Sequence, residues 1–317
     1  MSTATQTKRL PFLKRVKKEC KENGAYYILA LPGLLALILF SYVPMAGLYI
    51  VFERYTYKGG LFGSEFVGLE NFKFFFANMD TALRATRNTL VINFAGIILG
   101  TVIAVAIAIM LSNITSKFFK TVTQSFMMLP YFISWVVAGM IAYALLNESN
   151  GIINNLIVSS GGTPVKWYSN PWVWWPILVI TSIWKTAGYN SIIYMSSLSG
   201  FDTSYYEAAE IDGASRWQQI TKITIPLLKP TIIIMFLLSI GGILSGDISQ
   251  IMGMTNLSPL LLETTDTINT FVYRTAVKNG QFEAASAVQL YQSLFGFVLV
   301  MVSNWMVKKY DPDYSLF

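Results

Sequence analysis

The 317-residue chain is 54% hydrophobic and only 13% charged, with 23 Lys and Arg against 17 Asp and Glu for a formal net charge of +6. Soluble domains carry about 25% charged residues, so together with a mean hydropathy of +0.50 this composition specifies an all-α, polytopic membrane protein whose solvent is largely lipid. Histidine is absent and cysteine occurs once, at Cys20, which excludes an internal disulfide, a Cys/His metal site and a His-based catalytic triad.

Residues 1–25 hold Lys8, Arg9, Lys14, Arg15, Lys17, Lys18 and Lys21 with Phe12, Leu13 and Val16 between them. This suits either a basic amphipathic helix on an anionic membrane face or a charged tail that only sets topology. Tyr26 to Phe52 is too long for a signal-peptide core and lacks a small-residue cleavage site, so it reads as a retained first span that Pro32 and Pro44 kink. Residues 53–87 mix charge, glycine and aromatics as a long loop with a short helix at 70–76. A second span covers 89–111, where alanine and glycine permit close helix contact. After a tight turn at 112–120 comes a third span at 122–146, and Pro130 inside it predicts a broken or kinked helix. Residues 147–170 form a Gly/Asn/Ser-rich loop. The cluster Trp167, Trp172, Trp174 and Trp175 predicts an interfacial aromatic belt opening the fourth span, 171–198. The fifth span runs over 226–245, residues 247–284 form a second long loop, and the sixth span, 285–307, closes on Lys308 and Lys309 ahead of a short tail, 308–317.

Six spans put both termini on one side of the membrane. The amino-terminal basic residues, Lys117 and Lys120, Arg216 and Lys222, and Lys308 and Lys309 all fall on that side, which the positive-inside bias makes cytoplasmic. The same placement accounts for the basic balance without nucleic acid. The two longest loops then face outward.

Between the fourth and fifth spans lies a polar island, residues 203–226. Ser204 and Glu207 have the spacing of a capping box, so a helix is predicted to start there. Ala208 and Ala209 favour the helix and leave a shallow flank that another surface can approach. Asp212-Gly213 reads as a turn, and Ser215 with Gln218 forms a second capping box. Pro226 either begins a new helix or kinks a continuing one. By these signals alone the island is equally an ordinary cytoplasmic loop with good caps.

The order Glu207-Ala208-Ala209, three residues, Gly213, nine residues, Ile223, one residue, Ile225-Pro226 resembles the EAA signature of binding-protein-dependent ABC importer permeases, with Ile225 where leucine is usual. Tyr206-Glu-Ala-Ala, Ile211-Asp-Gly-Ala214 and Pro226-Leu-Leu-Lys-Pro230 are similar to the carbohydrate-importing branch. Gly241 to Ser245, Ile268 to Arg274, Asn279-Gly280-Gln281 and Tyr314 to Phe317 resemble the subfamily associated with oligosaccharides from complex polysaccharides or glycans. The resemblance implies a type I ABC importer permease fold: a transmembrane domain over 26–307, cytoplasmic tails at 1–25 and 308–317, and a coupling segment at 203–226. Carried over, Tyr206, Glu207, Ala208, Ala209, Asp212, Gly213 and Ala214 would form the ATPase-coupling surface. The implied partners are a second homologous permease, an ATPase dimer, an extracellular or lipid-anchored solute-binding protein, an oligosaccharide and membrane lipid, in a bacterial cytoplasmic membrane. No cofactor is expected on this chain; ATP and Mg belong on the ATPase subunits, since no phosphate-binding Gly-Lys-Ser/Thr loop is present.

A sugar path needs hydrogen-bonding groups and aromatic faces. Ser239, Gly242 and Ser245 recur at helical spacing with Asp247 and Gln250 beyond, a stripe that serves helix packing or a path. Trp184, Tyr189 and Asn190 on the fourth span are candidate sugar contacts. Lys185 beside them, costly at a bilayer centre, reads rather as snorkelling or structurally paired. A gradient-driven secondary transporter for a small polar solute is the alternative reading. It would want acidic residues inside spans, and the acidic residues stand in the island and at span ends.

Overall fold

The structure, a computed structural model, describes residues 12–77 and 79–316; residues 1–11 of the expected basic tail lie outside the described residues. In the unit that ends at Gly68, helix α1 (Phe12–Leu37) runs on through a π-helical turn at Ile38–Tyr42 into a 3-10 stretch at Val43–Phe52. Pro44 accounts for the change of helix type: it has no amide proton, and its ring crowds the carbonyl of Phe40 one turn back. Strands β1 (Glu53–Arg54) and β2 (Glu65–Phe66) then pair antiparallel, so the first stretch of the expected loop is a short ribbon.

The unit that begins at Leu69 is helical throughout. Helix α2 (Glu70–Ala77) falls where a short helix is expected, and α3 (Met79–Ser112) begins well ahead of the second span it contains. Ser116 caps α4 (Lys117–Phe132) and Ser134 caps α5 (Trp135–Leu146). The third span is broken rather than kinked, and the break is not at Pro130. The two helices meet at 98° across Ile133 and Ser134, because Ile133 is extended and the Ser134 hydroxyl, accepting from the Val137 amide at 3.3 Å, starts a new helix. The expected loop at 147–170 contains α6 (Ile152–Ser159), followed by α7 (Trp174–Leu198). Of the expected tryptophan belt, Trp172 is exposed, whereas Trp174 is fully buried and its indole donates to the Trp167 carbonyl at 2.8 Å.

The polar island folds as α8 (Ser204–Ile211) and α9 (Arg216–Gln219). A π-helical turn at Ile220–Thr224 joins α9 to α10 (Ile225–Gly241), so Arg216 to Gly241 is one continuous helix. Pro226 therefore does not begin a separate helix: the helix continues past it, with the π-helical turn directly ahead accommodating its ring. The helix ends at Gly241, earlier than the expected Ser245. Residues 247–284, expected as a loop, hold α11 (Ile248–Thr255), α12 (Leu262–Thr265) and α13 (Ile268–Tyr273) before α14 (Phe282–Tyr310). These helices are short, 8, 4 and 6 residues, which hides them from a reading based on long apolar runs.

Lys21–Phe52, Met79–Ser112, Arg216–Gly241 and Phe282–Tyr310 are long and apolar enough to cross a membrane, and α4 with α5 makes a fifth, bent candidate. Helix α7, at 25 residues about 37 Å long, has the length but carries Ser182, Lys185, Thr186 and Asn190 along its middle. Helices in lipid gain from close packing rather than from the hydrophobic effect, and α3, α7 and α10 meet through small residues: Ala104 and Ala108 are fully buried beside Tyr194 and Leu228. Helices α4 and α7 also touch closely, since a Cβ on Gly188 would lie 1.9 Å from the Met127 carbonyl oxygen.

Candidate functional site

Helices α3 and α7 run in the same direction, because Ile92 shares a cluster with Leu178 while Ala104 and Ala108 share one with Tyr194. Their carboxyl ends lie with Phe201 and Ile220, at the island; their amino ends lie at the opposite end of the unit. Between α3, α7 and α10, and closed by the turn into α11, is a cavity of about 280 Å³.

Its lining is polar and small. Asn190, Ser239, Gly242, Ser245, Asp247 and Gln250 of the expected path all line it, whereas Trp184 and Tyr189 do not. Tyr189 lies instead flat against Tyr131 of α4, with ring centroids 4.1 Å apart and planes 7° from parallel. Helix geometry separates them: Asn190 follows Ser182 and Thr186 at four-residue intervals on the cavity face, while Tyr189, one residue away, is turned by about 100°. The sequence reading missed Asn93, Thr101, Ser182 and Thr186. The available signal was that same four-residue recurrence of Ser, Thr and Asn on α7, and Asn93-Gly96-Gly100 on α3.

Several lining groups also build the wall. Asn93 Nδ2 donates to the Ile243 carbonyl at 2.7 Å, holding the turn after α10. Gln250 Nε2 donates to the Leu178 carbonyl at 2.7 Å and to Thr181 Oγ1 at 3.2 Å, tying α11 to α7. Asp247 caps α11 by accepting from the Ser249 amide at 2.9 Å, and its other carboxylate oxygen accepts from Trp135 Nε1 of α5. Lys185 donates from Nζ to the carbonyls of Pro130, Tyr131 and Ile133, the end of α4 at the break, with its ammonium 5.3 Å from the Trp135 ring centroid. The lysine is thus structurally paired, supplying donors to carbonyls at the helix break, of which Pro130 also accepts the Ile133 amide at 3.2 Å.

At the amino end of α3, Asp266 is fully buried, with Arg84 at 3.0 Å and Arg274 at 2.5 Å on its two oxygens. Asn88 Nδ2 adds a bond to its carbonyl at 2.9 Å. This network pins the α12–α13 connection onto α3.

On the island, the Ser204–Glu207 capping box is not formed. Asp202 Oδ1 takes the Ser204 amide at 2.9 Å, and the Glu207 amide bonds the Thr203 carbonyl at 3.1 Å, so both groups the box needs are already engaged. Bonds from the Ser204 amide and hydroxyl hold the Asp202 carboxyl below its usual range. The second box is present, with Ser215 N to Gln218 Oε1 at 2.7 Å and Gln218 N to Ser215 Oγ at 3.4 Å. Gly213 has φ +76°, the Gly213 amide bonds the Glu210 carbonyl and the Ala214 amide bonds Ala209 at 2.8 Å: a Schellman turn that reverses the chain. Tyr206 turns inward, its hydroxyl 3.1 Å from Thr224 Oγ1, while Glu207, Ala208 and Asp212 face outward. Ile211 and Trp217 are 86% and 71% exposed, two apolar side chains on the island that the motif does not contain.

A multi-pass helical protein with a polar cavity among its spans and a capped helix–turn–helix outside them has the build of a membrane permease. Residues 96–315 match the family described as binding-protein-dependent transport system inner membrane component. Protein LplB of Bacillus subtilis (strain 168) is 33% identical over 293 residues, 92% of this chain and 91% of that protein. The polygalacturonan/rhamnogalacturonan transport system permease protein YteP of the same organism is 33% identical over 300 residues, 95% of this chain and 92% of its own. A chain in the crystal structure of a bacterial alginate ABC transporter in complex with alginate pentasaccharide-bound periplasmic protein superposes with a TM-score of 0.83 at 29% identity, covering 93% of this chain and 98% of that one. The chain belongs to the binding-protein-dependent transport system inner membrane component family, and is a permease subunit of an ABC importer rather than an enzyme.

Proposed function

We propose that this chain forms half of the pore of an ATP-driven importer for oligosaccharides from complex polysaccharides or glycans, paired with a second homologous permease. An extracellular or lipid-anchored solute-binding protein delivers the sugar, which passes the cavity between α3, α7 and α10. The segment 203–226 seats in a cytoplasmic ATPase dimer through Glu207, Ala208, Ala209, Asp212, Gly213 and Ala214. Tyr206 supports it from within, and both termini lie on the ATPase side of a bacterial cytoplasmic membrane. The domain over 26–307 then alternates between outward and inward openings, and ATP and Mg remain on the ATPase subunits.

The observation that carries this reading is the placement of a hydroxyl- and amide-lined cavity on three helices, one of which, α10, is continuous with the exposed island. Arg216 and Ser239 stand on one continuous helix, so a displacement of the island reaches the cavity wall through it. The relatives named for saccharide transport support the substrate class.

The test is sugar-stimulated ATPase activity of the complete transporter in proteoliposomes, with Glu207→Ala and Gly213→Pro beside the unmodified chain. Loss of stimulation in both variants with intact assembly is expected. Uptake that persists without the ATPase would overturn the reading in favour of a gradient-driven carrier.

A further inference from the structure

One side chain lining the cavity carries a carboxyl group, Asp247; the polar groups around it are hydroxyls and amides, among them Asn93, Thr186, Asn190 and Ser239. Among the described residues no Lys or Arg lies within ion-pair distance of the Asp247 carboxylate. Its orientation is set from behind, by the Ser249 amide at 2.9 Å, the Gln250 amide at 3.4 Å and the Trp135 indole. Those donors are neutral and leave the net charge in place. Lys185, on three neutral main-chain carbonyls, keeps its own charge, but it stands across the Trp135 ring and does not line the cavity.

A fixed negative charge in a cleft with low-dielectric walls raises the local concentration of cations and depletes anions. We infer that Asp247 is a charge filter on the sugar path, so that this permease passes uncharged or amino sugars and rejects saccharides bearing carboxylates. The inference rests on the saccharide reading above.

The experiment uses the assembled permease–ATPase complex without the binding protein, so that delivery does not impose its own selectivity. In a Cys20→Ser background, Ser239→Cys places one thiol on the cavity wall; the Ser239 hydroxyl bonds its own helix, at Met235, so the change is mild. Thr186→Cys, whose hydroxyl likewise bonds its own helix at Ser182, is the second reporter should the first fail to assemble. Labelling of this chain by a cationic trimethylammonium methanethiosulfonate is compared with labelling by an anionic sulfonate analogue, each normalised to its rate with a free thiol. The cationic reagent should be favoured about tenfold, and Asp247→Asn, whose single amide oxygen keeps the cap on α11 while giving up the Trp135 bond, should bring the ratio near one. A ratio near one with Asp247 present, or one that Asp247→Asn leaves unchanged, overturns the filter.

Protection of the same thiol distinguishes the substrate class. A neutral galacto-oligosaccharide should slow labelling several-fold, and an oligogalacturonate of equal length should do so only after Asp247→Asn. Equal protection by both with Asp247 present overturns the filter. Protection by neither, with the charge ratio intact, counts against saccharide passage while supporting the filter.

Discussion

Gly139 of α5 and Gly253 of α11 touch backbone to backbone: a Cβ on Gly139 would lie 1.9 Å from the Gly253 carbonyl oxygen, and one on Gly253 would lie 2.3 Å from the carbonyl of Trp135. Helices of 12 and 8 residues, about 18 and 12 Å long, are too short to cross about 30 Å of hydrocarbon. They hold each other instead, in the cluster that includes Ile92 of α3 and Leu178 of α7. Gly139→Ala or Gly253→Ala is expected to force them apart at a cost of roughly 1–3 kcal/mol, read as a lowered melting temperature of the purified protein in detergent. Melting at the parental temperature would mean that the two helices can slide without loss.

Removal of the buried carboxylate should cost more. Asp266→Ala leaves Arg84 and Arg274 facing one another without their shared anion, and breaking a buried pair by deleting one partner costs about 3–5 kcal/mol. Loss of folded protein, or a large drop in melting temperature, is expected; a change within error would place the stability of the α12–α13 connection elsewhere.

Lys185→Met keeps the stem but withdraws the donors from the end of α4. These carbonyls are partly exposed, and a net hydrogen bond is worth about 0.5–1.5 kcal/mol. The melting temperature should fall, and hydrogen exchange at residues 133–137 should rise. If exchange at the break is unaltered, Lys185 is not what holds it.

Gly213 adopts φ +76°, and a Cβ placed there would meet no atom within 4 Å, so the restriction is conformational and not spatial. Gly213→Val is expected to cost roughly 1–2 kcal/mol locally, to leave global melting nearly unchanged, and to lower sugar-stimulated ATPase turnover. Full stimulation in this variant would separate the shape of the turn from coupling.

Tyr168 lies in the connection ahead of α7, where burial, and then the neighbouring Tyr143, push its hydroxyl up to about 12. An unfolded tyrosine titrates near 10, so above that pH the unfolded chain releases a proton that the folded one keeps. The stabilisation is therefore complete below about pH 10 and lost as pH rises towards 12. The hydroxyl is also buried without a partner. Tyr168→Phe should leave stability at pH 7 unchanged or raised and flatten its loss between about pH 10 and 12, measured by thermal melts across pH. A steeper alkaline loss in the variant would reverse the assignment.

Much of this protein was legible in its residues because lipid imposes so strict a rule. Backbone amides in hydrocarbon must bond within the segment, so long apolar runs such as 89–111 and 285–307 can only be helices. The island was legible for a related reason: Ser215 and Gln218 satisfy each other locally, and Gly213 stands where the chain must reverse, so neither depends on distant partners. The Ser204–Glu207 spacing failed within the same island because Asp202, two residues upstream, competed for the same amide.

What the sequence determined by itself is the set of elements whose stability is local or solvent-imposed: the apolar spans, the turn at Gly213, and the polar stripe from Ser239 to Gln250. Only the tertiary structure decided what depends on approach between distant residues. It turned Asn190 into the cavity and Tyr189 away from it, broke the third span where Lys185 could reach its carbonyls, and folded 247–284 into helices that rest on α3, α5 and α14. It also brought Trp135 to Asp247 across 112 positions of chain. Such contacts are long-range because a short helix or a buried charge is unstable alone and needs partners that other parts of the chain supply.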